Sequence, residues 1–264
     1  MSGPLAEMRE LRREAITAIV SAFKRLEQEV PPPQIVQIDG QDALRYVEKA
    51  PHQAMIQKLA RYVSGLQAME WLNFRGWVQE QAVIQRTLDD LGEDVAYIVL
   101  GLQVGMNKTH RQFLDRFWQE EFEEGVSPID STATRYNVSR TAIRNWLIKQ
   151  HGVANDGPEA KSRKLIQQVY SGYVHGASPH IMEMCGGDPP RFCVSGLKGT
   201  SRQADHEDDL WNYSFRGLLT ITQAAVSFGD EELVKTLNEF RDDYERRSGT
   251  NYRDCGFHEG PETF

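Results

Sequence analysis

The chain has 264 residues, of which 40% are hydrophobic and 26% charged, enough for a real core beneath an ordinary surface. Its mean hydropathy of -0.54 argues against a membrane protein, and its formal charge of -8 opposes bulk attraction to nucleic acid or anionic lipid. The three cysteines, Cys185, Cys193 and Cys255, are too sparse for a disulfide framework. We therefore expect a cytoplasmic protein with no membrane contact.

The first third of the chain predicts two amphipathic helices. Apolar residues recur at three- and four-residue steps over 5–29, and three prolines from Pro31 end that helix. Residues 34–40 are predicted to be a short linker, followed by a helix over 52–73. The first helix is a candidate for a dimer or partner contact, or it folds back onto the core.

The longest apolar pattern predicts a central helix over 75–104. One stripe runs along it, formed by Trp77, Ile84, Leu88, Leu91, Val95, Ile98 and Leu102. A helix of this length would span roughly 45 Å. Because its last turns are apolar on nearly every side, we expect that end to be deeply buried.

The remaining elements are also predicted to be helical, with boundaries near 106–122, 132–150 and 159–175. A short helix follows, with Ser178 as its cap and Pro179 at its first position. The stretch 186–204 is the longest irregular segment. Asp205 and Asp230 are predicted to cap the last two helices.

These patterns predict an all-α fold, a multi-helix bundle with one long central helix and an N-terminal helical arm. We assign residues 1–38 to the arm and its proline-rich linker, 39–248 to the bundle, and 249–264 to a polar tail. No segment predicts a convincing strand.

The densest unusual chemistry lies between Tyr170 and His180. Ser171 and His175 are four residues apart and therefore share a helix face, where a serine and a histidine can act as nucleophile and base. Tyr170 lies beside them. In the alternative interpretation His175 is structural, because a histidine in the last turn of a helix interacts well with the negative end of the helix dipole.

Arg86 is the second candidate. It lies with Asp90 and Glu93 on a polar row of the central helix, opposite the main apolar stripe. This row is either a solvated charged face or part of a groove. If Arg86 points into a groove beside His175, the two form a polar site of the size of a phosphate.

Two stretches carry a resemblance to a known group of proteins. Arg86-Thr87-Leu88-Asp89-Asp90-Leu91 and Tyr170-Ser171-x-x-Val174-His175 resemble an uncharacterised bacterial all-helical family that is similar to the HEPN superfamily (higher eukaryotes and prokaryotes nucleotide-binding). That superfamily includes toxin and phage-defence ribonucleases. The resemblance implies a stress or phage-defence protein that acts on RNA, with His175, Arg86, Ser171 and Tyr170 as catalytic candidates.

The active signature of the superfamily is an arginine, a polar residue, and a histidine after four to six intervening residues. Arg144 with His151 and Arg253 with His258 fit this pattern, and Arg45 with His52 fits its spacing only. His175 has no arginine at this spacing, and this departure from the signature counts against the expected ribonuclease activity.

Residues 129–147 resemble a DNA-reading helix-turn-helix. Ile129 and Ala133 would pack its first helix, Asn137 would take the left-handed turn, and Ser139 would cap the second helix. Three cations would then be available to nucleic acid, namely Arg140, Arg144 and Lys149. The alternative is an ordinary capped helix after a loop, without specific binding of duplex DNA.

The sequence predicts neither a metal site nor a cofactor. No histidine follows a glutamate at the Glu-x-x-His spacing of di-iron bundles, and no glycine-rich phosphate loop is present. The alternatives to an RNA-acting protein are a helix-turn-helix regulator and a non-catalytic interaction protein. A homo-oligomer is a further possibility.

Overall fold

The computed structural model describes residues 4–134, 138–150 and 158–251, and it confirms an all-α multi-helix bundle. Within these ranges nine helices and two small hairpins follow one another: α1 Pro4–Glu27, β1 Gln34–Ile38, β2 Gln41–Arg45, α2 Pro51–Arg75, α3 Val78–Val104, α4 Lys108–Trp118, α5 Arg140–Gln150, α6 Pro158–Val174, α7 Ser178–Met182, β3 Cys185–Gly186, β4 Arg191–Phe192, α8 Ser201–Phe228 and α9 Glu231–Ser248. Among the described helices, no segment has the length and apolar character needed to cross a bilayer.

The bundle is built around α3, which contacts α2, α4, α5, α6 and α8. Leu88, Val95 and Ile98 of the predicted stripe are fully buried. Trp77 is not part of that buried stripe: it precedes the first turn of α3, and its side chain stays 44% exposed. The break between α2 and α3 falls at Gly76, whose φ of 81° is the left-handed conformation that favours glycine at a helix C-terminus.

The N-terminal helix α1 packs against α2, α8 and α9. Its residues Leu11, Ala15 and Ile19 belong to the same apolar core as α2 and α8. Arg12 is also buried there, with its guanidinium 2.6 Å from Glu70 Oε1 and 3.2 Å from Glu207 Oε1. Of the two arrangements predicted for this helix, the structure shows the one that folds back onto the core.

The linker predicted over 34–40 is wrong, because β1 and β2 form an antiparallel hairpin there. Asp39 and Gly40 make the turn, with φ values of 49° and 74°. Positive φ at both central residues is the geometry of the tight turns that join twisted strands, and Asp-Gly is a preferred sequence for it. The second hairpin, β3 with β4, has only two residues in each strand and lies inside the predicted irregular segment.

The start predicted for the helix near Asp205 is also wrong, since α8 begins five residues earlier. Thr200 caps it, and its hydroxyl accepts a hydrogen bond from the backbone N–H of Gln203. The other predicted cap is confirmed: the carboxylate of Asp230 accepts from the N–H of Leu233 at the start of α9.

Candidate functional site

The candidates of the Tyr170–His180 segment lie at the C-terminal end of α6, and only Tyr170 points to a partner on another long helix. Its hydroxyl donates to Asp209 Oδ2 on α8 at 3.0 Å. Ser171 and His175 are joined through the backbone, where the N–H of His175 donates to the carbonyl of Ser171 at 3.0 Å. The side chain of His175 is exposed. A side-chain hydrogen bond therefore joins Tyr170 to Asp209, whereas the contact between Ser171 and His175 is through the backbone.

Arg86 contacts a residue of its own helix and not the Tyr170–His180 segment. Its Nη1 is 2.6 Å from Asp90 Oδ1, one turn further along α3. Within the described ranges no hydrogen bond or ion pair joins Arg86 to His175. The amide of Gln79 donates to the carbonyl of His180, so the start of α3 lies beside α7, and Arg86 is about 10 Å further along the helix. A cleft shared by Arg86 and His175 stays a prediction.

Four side chains from three helices meet at the seam between α3, α6 and α8. We call them the seam cluster: Gln85 from α3, Tyr170 from α6, and His206 and Asp209 from α8. The two α8 members are three residues apart on one helix face, with His206 Nδ1 3.7 Å from Asp209 Oδ2. Gln85 is fully buried, and its amide faces Asp209 without a well-formed hydrogen bond.

The environment of the seam cluster displaces its pKa values from their usual ranges. Burial raises the pKa of Asp209, although His206, Tyr170 and Gln85 each act to lower it. Burial lowers the pKa of His206, against the opposing effect of the Asp209 carboxylate. The side chain of Asp209 is 33% exposed and that of His206 only 10%, so Asp209 is the solvent-facing member of this pair. A carboxyl group with a raised pKa and access to solvent can take up and release protons at a higher pH than an ordinary aspartate.

An aromatic contact also holds Tyr170 in position. The Tyr213 ring packs edge-on against Tyr170, with the ring centroids 6.3 Å apart. Tyr213 donates its hydroxyl hydrogen to Asp89 Oδ1 at 3.0 Å, and Arg216 Nη1 lies 2.7 Å from the same oxygen. Because Asp89 and Tyr213 are both buried, this arrangement fixes one wall of the seam cluster.

Tyr173 extends the seam towards α7. Its ring stands edge-on between His180, at 4.4 Å between centroids, and His206, at 5.8 Å, and its hydroxyl donates to Glu183. The His180 ring lies so close to Gly172 that an added Cβ there would be 2.2 Å from the imidazole. Glycine at position 172 therefore allows α7 to pack onto the end of α6.

Two of the three helix-turn-helix candidates, Arg140 and Arg144, face α3. Arg140 donates to both carboxylate oxygens of Asp94, and Arg144 Nε lies 2.7 Å from Glu93 Oε1. Arg144 and Arg86 also both contact Asp90, so the structure brings Arg86 together with these two arginines. Lys149 is exposed at the end of α5. Binding of nucleic acid by Arg140 and Arg144 would first require their ion pairs with α3 to break.

The first helix of the predicted helix-turn-helix is not formed in residues 129–134, and Ile129 is 94% exposed instead of packed. The turn that contains Asn137 lies outside the described residues. The second helix is formed as predicted: Ile143 and Leu147 are buried, and the Ser139 hydroxyl accepts from the N–H of Ala142. The pattern therefore describes a capped helix after a loop.

The arginine–histidine spacings of the HEPN signature can be followed in one case only. Arg45 is paired with Glu120, and the Nε2 atom of His52 lies 3.1 Å from the carbonyl oxygen of Ser227. The histidines of the other two spacings, His151 and His258, lie outside the described residues. The described part of the chain holds no group of three or more histidine, cysteine or acidic side chains that could bind a metal ion.

Sequence reasoning missed His206, Asp209 and Gln85. A histidine and an aspartate three residues apart on a helix are a usable signal, but the sequence also predicts Asp205 as the helix cap, which places both residues in an ordinary first turn.

Comparisons of the chain with protein-family models, with curated proteins and with solved structures give no match.

Proposed function

We propose that this protein acts on RNA, with the seam cluster as its acid–base site. The observation that carries the proposal is the environment of Asp209: a partly exposed carboxyl group whose pKa is raised by burial, in contact with Tyr170 of α6 and with His206 one turn earlier on its own helix. The resemblance of two short stretches to the HEPN superfamily supports RNA as the substrate and a role in stress or phage defence.

In the proposed reaction the Asp209 carboxylate takes the proton of a ribose 2′-hydroxyl group. The 2′ oxygen attacks the neighbouring phosphorus, and the bond from phosphorus to the 5′ oxygen breaks. His175, exposed about one and a half turns beyond Tyr170, supplies the proton with which the 5′ oxygen leaves. The products are a 2′,3′-cyclic phosphate and a 5′-hydroxyl end. Tyr170 and His206 orient Asp209 and partly offset the rise that burial causes in its pKa.

Asp209→Asn tests this proposal. We expect the purified wild-type protein to cut single-stranded RNA and the variant to lose at least about 100-fold of that rate, in the range attributed to general acid–base catalysis. Asp208→Asn is the matched control, because Asp208 is the neighbouring, exposed aspartate. Its rate should stay within about threefold of wild type, since a single surface charge acts only weakly across solvent.

Stability separates a chemical role of Asp209 from a structural one. Because burial raises its pKa, the charged form of Asp209 is disfavoured in the folded chain, and Asn removes that charge while it keeps an acceptor for Tyr170. Asp209→Asn should therefore unfold at the wild-type temperature or above it. Equal RNA cleavage by both variants, or activity that falls only in step with unfolding, would contradict the proposal.

A further inference from the structure

A group of exposed aromatic side chains lies where α2 meets α3. Trp71 is 64% exposed, Phe74 46% and Trp77 44%. Aromatic rings on a surface usually mark a contact site, because exposing them to water is unfavourable. We call this group, together with Lys198, the aromatic platform.

The platform is held in place by its own contacts. Trp71 stacks on Phe74 with 5.7 Å between ring centroids, and Lys198 Nζ lies 4.9 Å above the Phe74 ring. Trp77 donates its indole N–H to the carbonyl of Ser195. The glycine after Ser195 passes directly under the indole, where an added Cβ would be 2.6 Å from Trp77 Cδ1. Rings that are already fixed lose little conformational entropy when a ligand stacks on them.

The charge around the platform is opposite to that of the whole chain. Residues 71–80 and 194–202 carry three cations, Arg75, Lys198 and Arg202, against the single carboxylate of Glu80, in a chain of net charge -8. Arg202 pairs with Asp205 just beyond this stretch, which leaves Arg75 and Lys198. Arg75 and Lys198 are exposed and form no ion pair in the part of the chain that the structure describes. An apolar protein partner would leave these two cations without counter-charge, whereas phosphate groups supply it.

The platform lies at the same end of α3 as the seam cluster. Gln81, four residues after Trp77 and so about 6 Å along the helix, donates its amide hydrogen to the carbonyl of His206. A pocket of about 120 Å³ beside Trp77 is lined by Gln79, Met184 and Val194. A flexible strand that stacks on the platform can therefore reach the seam.

We propose that the aromatic platform binds single-stranded RNA, with bases stacked on Trp71 and Trp77 and phosphates contacted by Arg75 and Lys198. Single strands are the ligands whose bases are free to stack on aromatic side chains, while paired bases are not. This inference rests on the proposed function in taking RNA as the ligand, but it concerns binding and not cleavage.

Binding is tested in Asp209→Asn protein, so that no RNA is cut during the titration. The probe is a fluorescein-labelled, mixed-sequence single-stranded RNA of about 20 nucleotides, followed by anisotropy and compared with the same RNA as a duplex. Each stacked base contributes roughly tenfold to the affinity, so Trp71→Ala with Trp77→Ala should bind about 100-fold more weakly. Lys198→Gln should reduce the slope of log K against log salt by about 0.7.

Phe122→Ala is the matched control, because Phe122 is an aromatic residue of similar exposure, 46%, beyond α4 at the other end of α3. Its affinity should equal that of the parent protein. If the double variant unfolds at a lower temperature than the parent protein, Trp71→Ala alone repeats the test, because Trp71 has the most exposed ring of the platform. This single substitution should still weaken RNA binding about tenfold.

Three results would overturn the inference. In the first, the double variant binds RNA as tightly as the parent protein. In the second, the parent protein prefers the duplex or binds no RNA. In the third, the parent protein is a dimer that dissociates in Trp71→Ala, which would make the platform a protein contact. Failure of cleavage alone leaves this binding result intact, and cleavage without binding at the platform leaves the proposed function intact.

Discussion

Replacing Asp94 with alanine is expected to lower the free energy of unfolding by about 3–5 kcal/mol. The Asp94 side chain is only 2% exposed, and it pairs with Lys58 Nζ at 2.6 Å and with Arg140. Its removal leaves the largely buried ammonium of Lys58 without its carboxylate partner and leaves Arg140 with only its longer ion-pair contact to Asp90, at 3.6 Å. Urea unfolding followed by circular dichroism measures the loss.

Asp115→Ala is the control for Asp94→Ala, because Asp115 is an exposed aspartate on α4. Its effect should stay within about 0.5 kcal/mol of zero. A loss below about 1 kcal/mol in Asp94→Ala would mean that water or another acid replaces the buried ion pairs.

The second large effect is expected for Leu88→Ala, which should destabilise the chain by about 2–5 kcal/mol. Leu88 is 1% exposed, and its side chain lies against α2 at Gly65, where an added Cβ would be 2.6 Å from Leu88 Cδ2. Two helices that pack this closely cannot collapse further into a cavity. Leu91, on the same helix, is only partly buried, so Leu91→Ala should lower the free energy of unfolding by less than Leu88→Ala does.

Leu165→Ala is the control for the same chemical change, since Leu165 is 62% exposed on α6. We expect a change within about 0.5 kcal/mol. Equal losses in Leu88→Ala and Leu165→Ala, again from urea unfolding, would contradict the placement of Leu88 in the core.

The helices were predictable because apolar periodicity is a local signal. The central helix, for example, is visible in the spacing of Leu88, Val95 and Ile98. The hairpin at Asp39 and Gly40 was equally local, but the proline run before it favoured a linker. The start of α8 was misplaced because several residues before the first apolar stripe can cap a helix, and only the contact of Thr200 with Gln203 decides among them.

The candidate site was predictable only in part, because its contacts connect distant residues. Tyr170 was singled out, but its partner Asp209 lies 39 residues away on another helix. Arg140 and Arg144 have the spacing of phosphate-binding side chains, yet the carboxylates that occupy them are on α3, about fifty residues earlier. Spacing reports which residues share a helix face and not which helix covers that face.

The central claim is that Asp209 is a proton-transfer group with a raised pKa, and its titration tests this most directly. The carboxyl carbon of Asp209, identified by its absence from the NMR spectrum of Asp209→Asn, should titrate above the usual aspartate value of 3.8. At a pH between 3.8 and the raised pKa of the folded state, Asp209 holds a proton in the folded chain that it has released in the unfolded chain. Asp209 therefore makes the free energy of unfolding fall as the pH rises through this range. RNA cleavage should rise with pH at the same midpoint, because the carboxylate is the active form. A titration at or below 3.8, or cleavage with no inflection at the Asp209 midpoint, would contradict the claim.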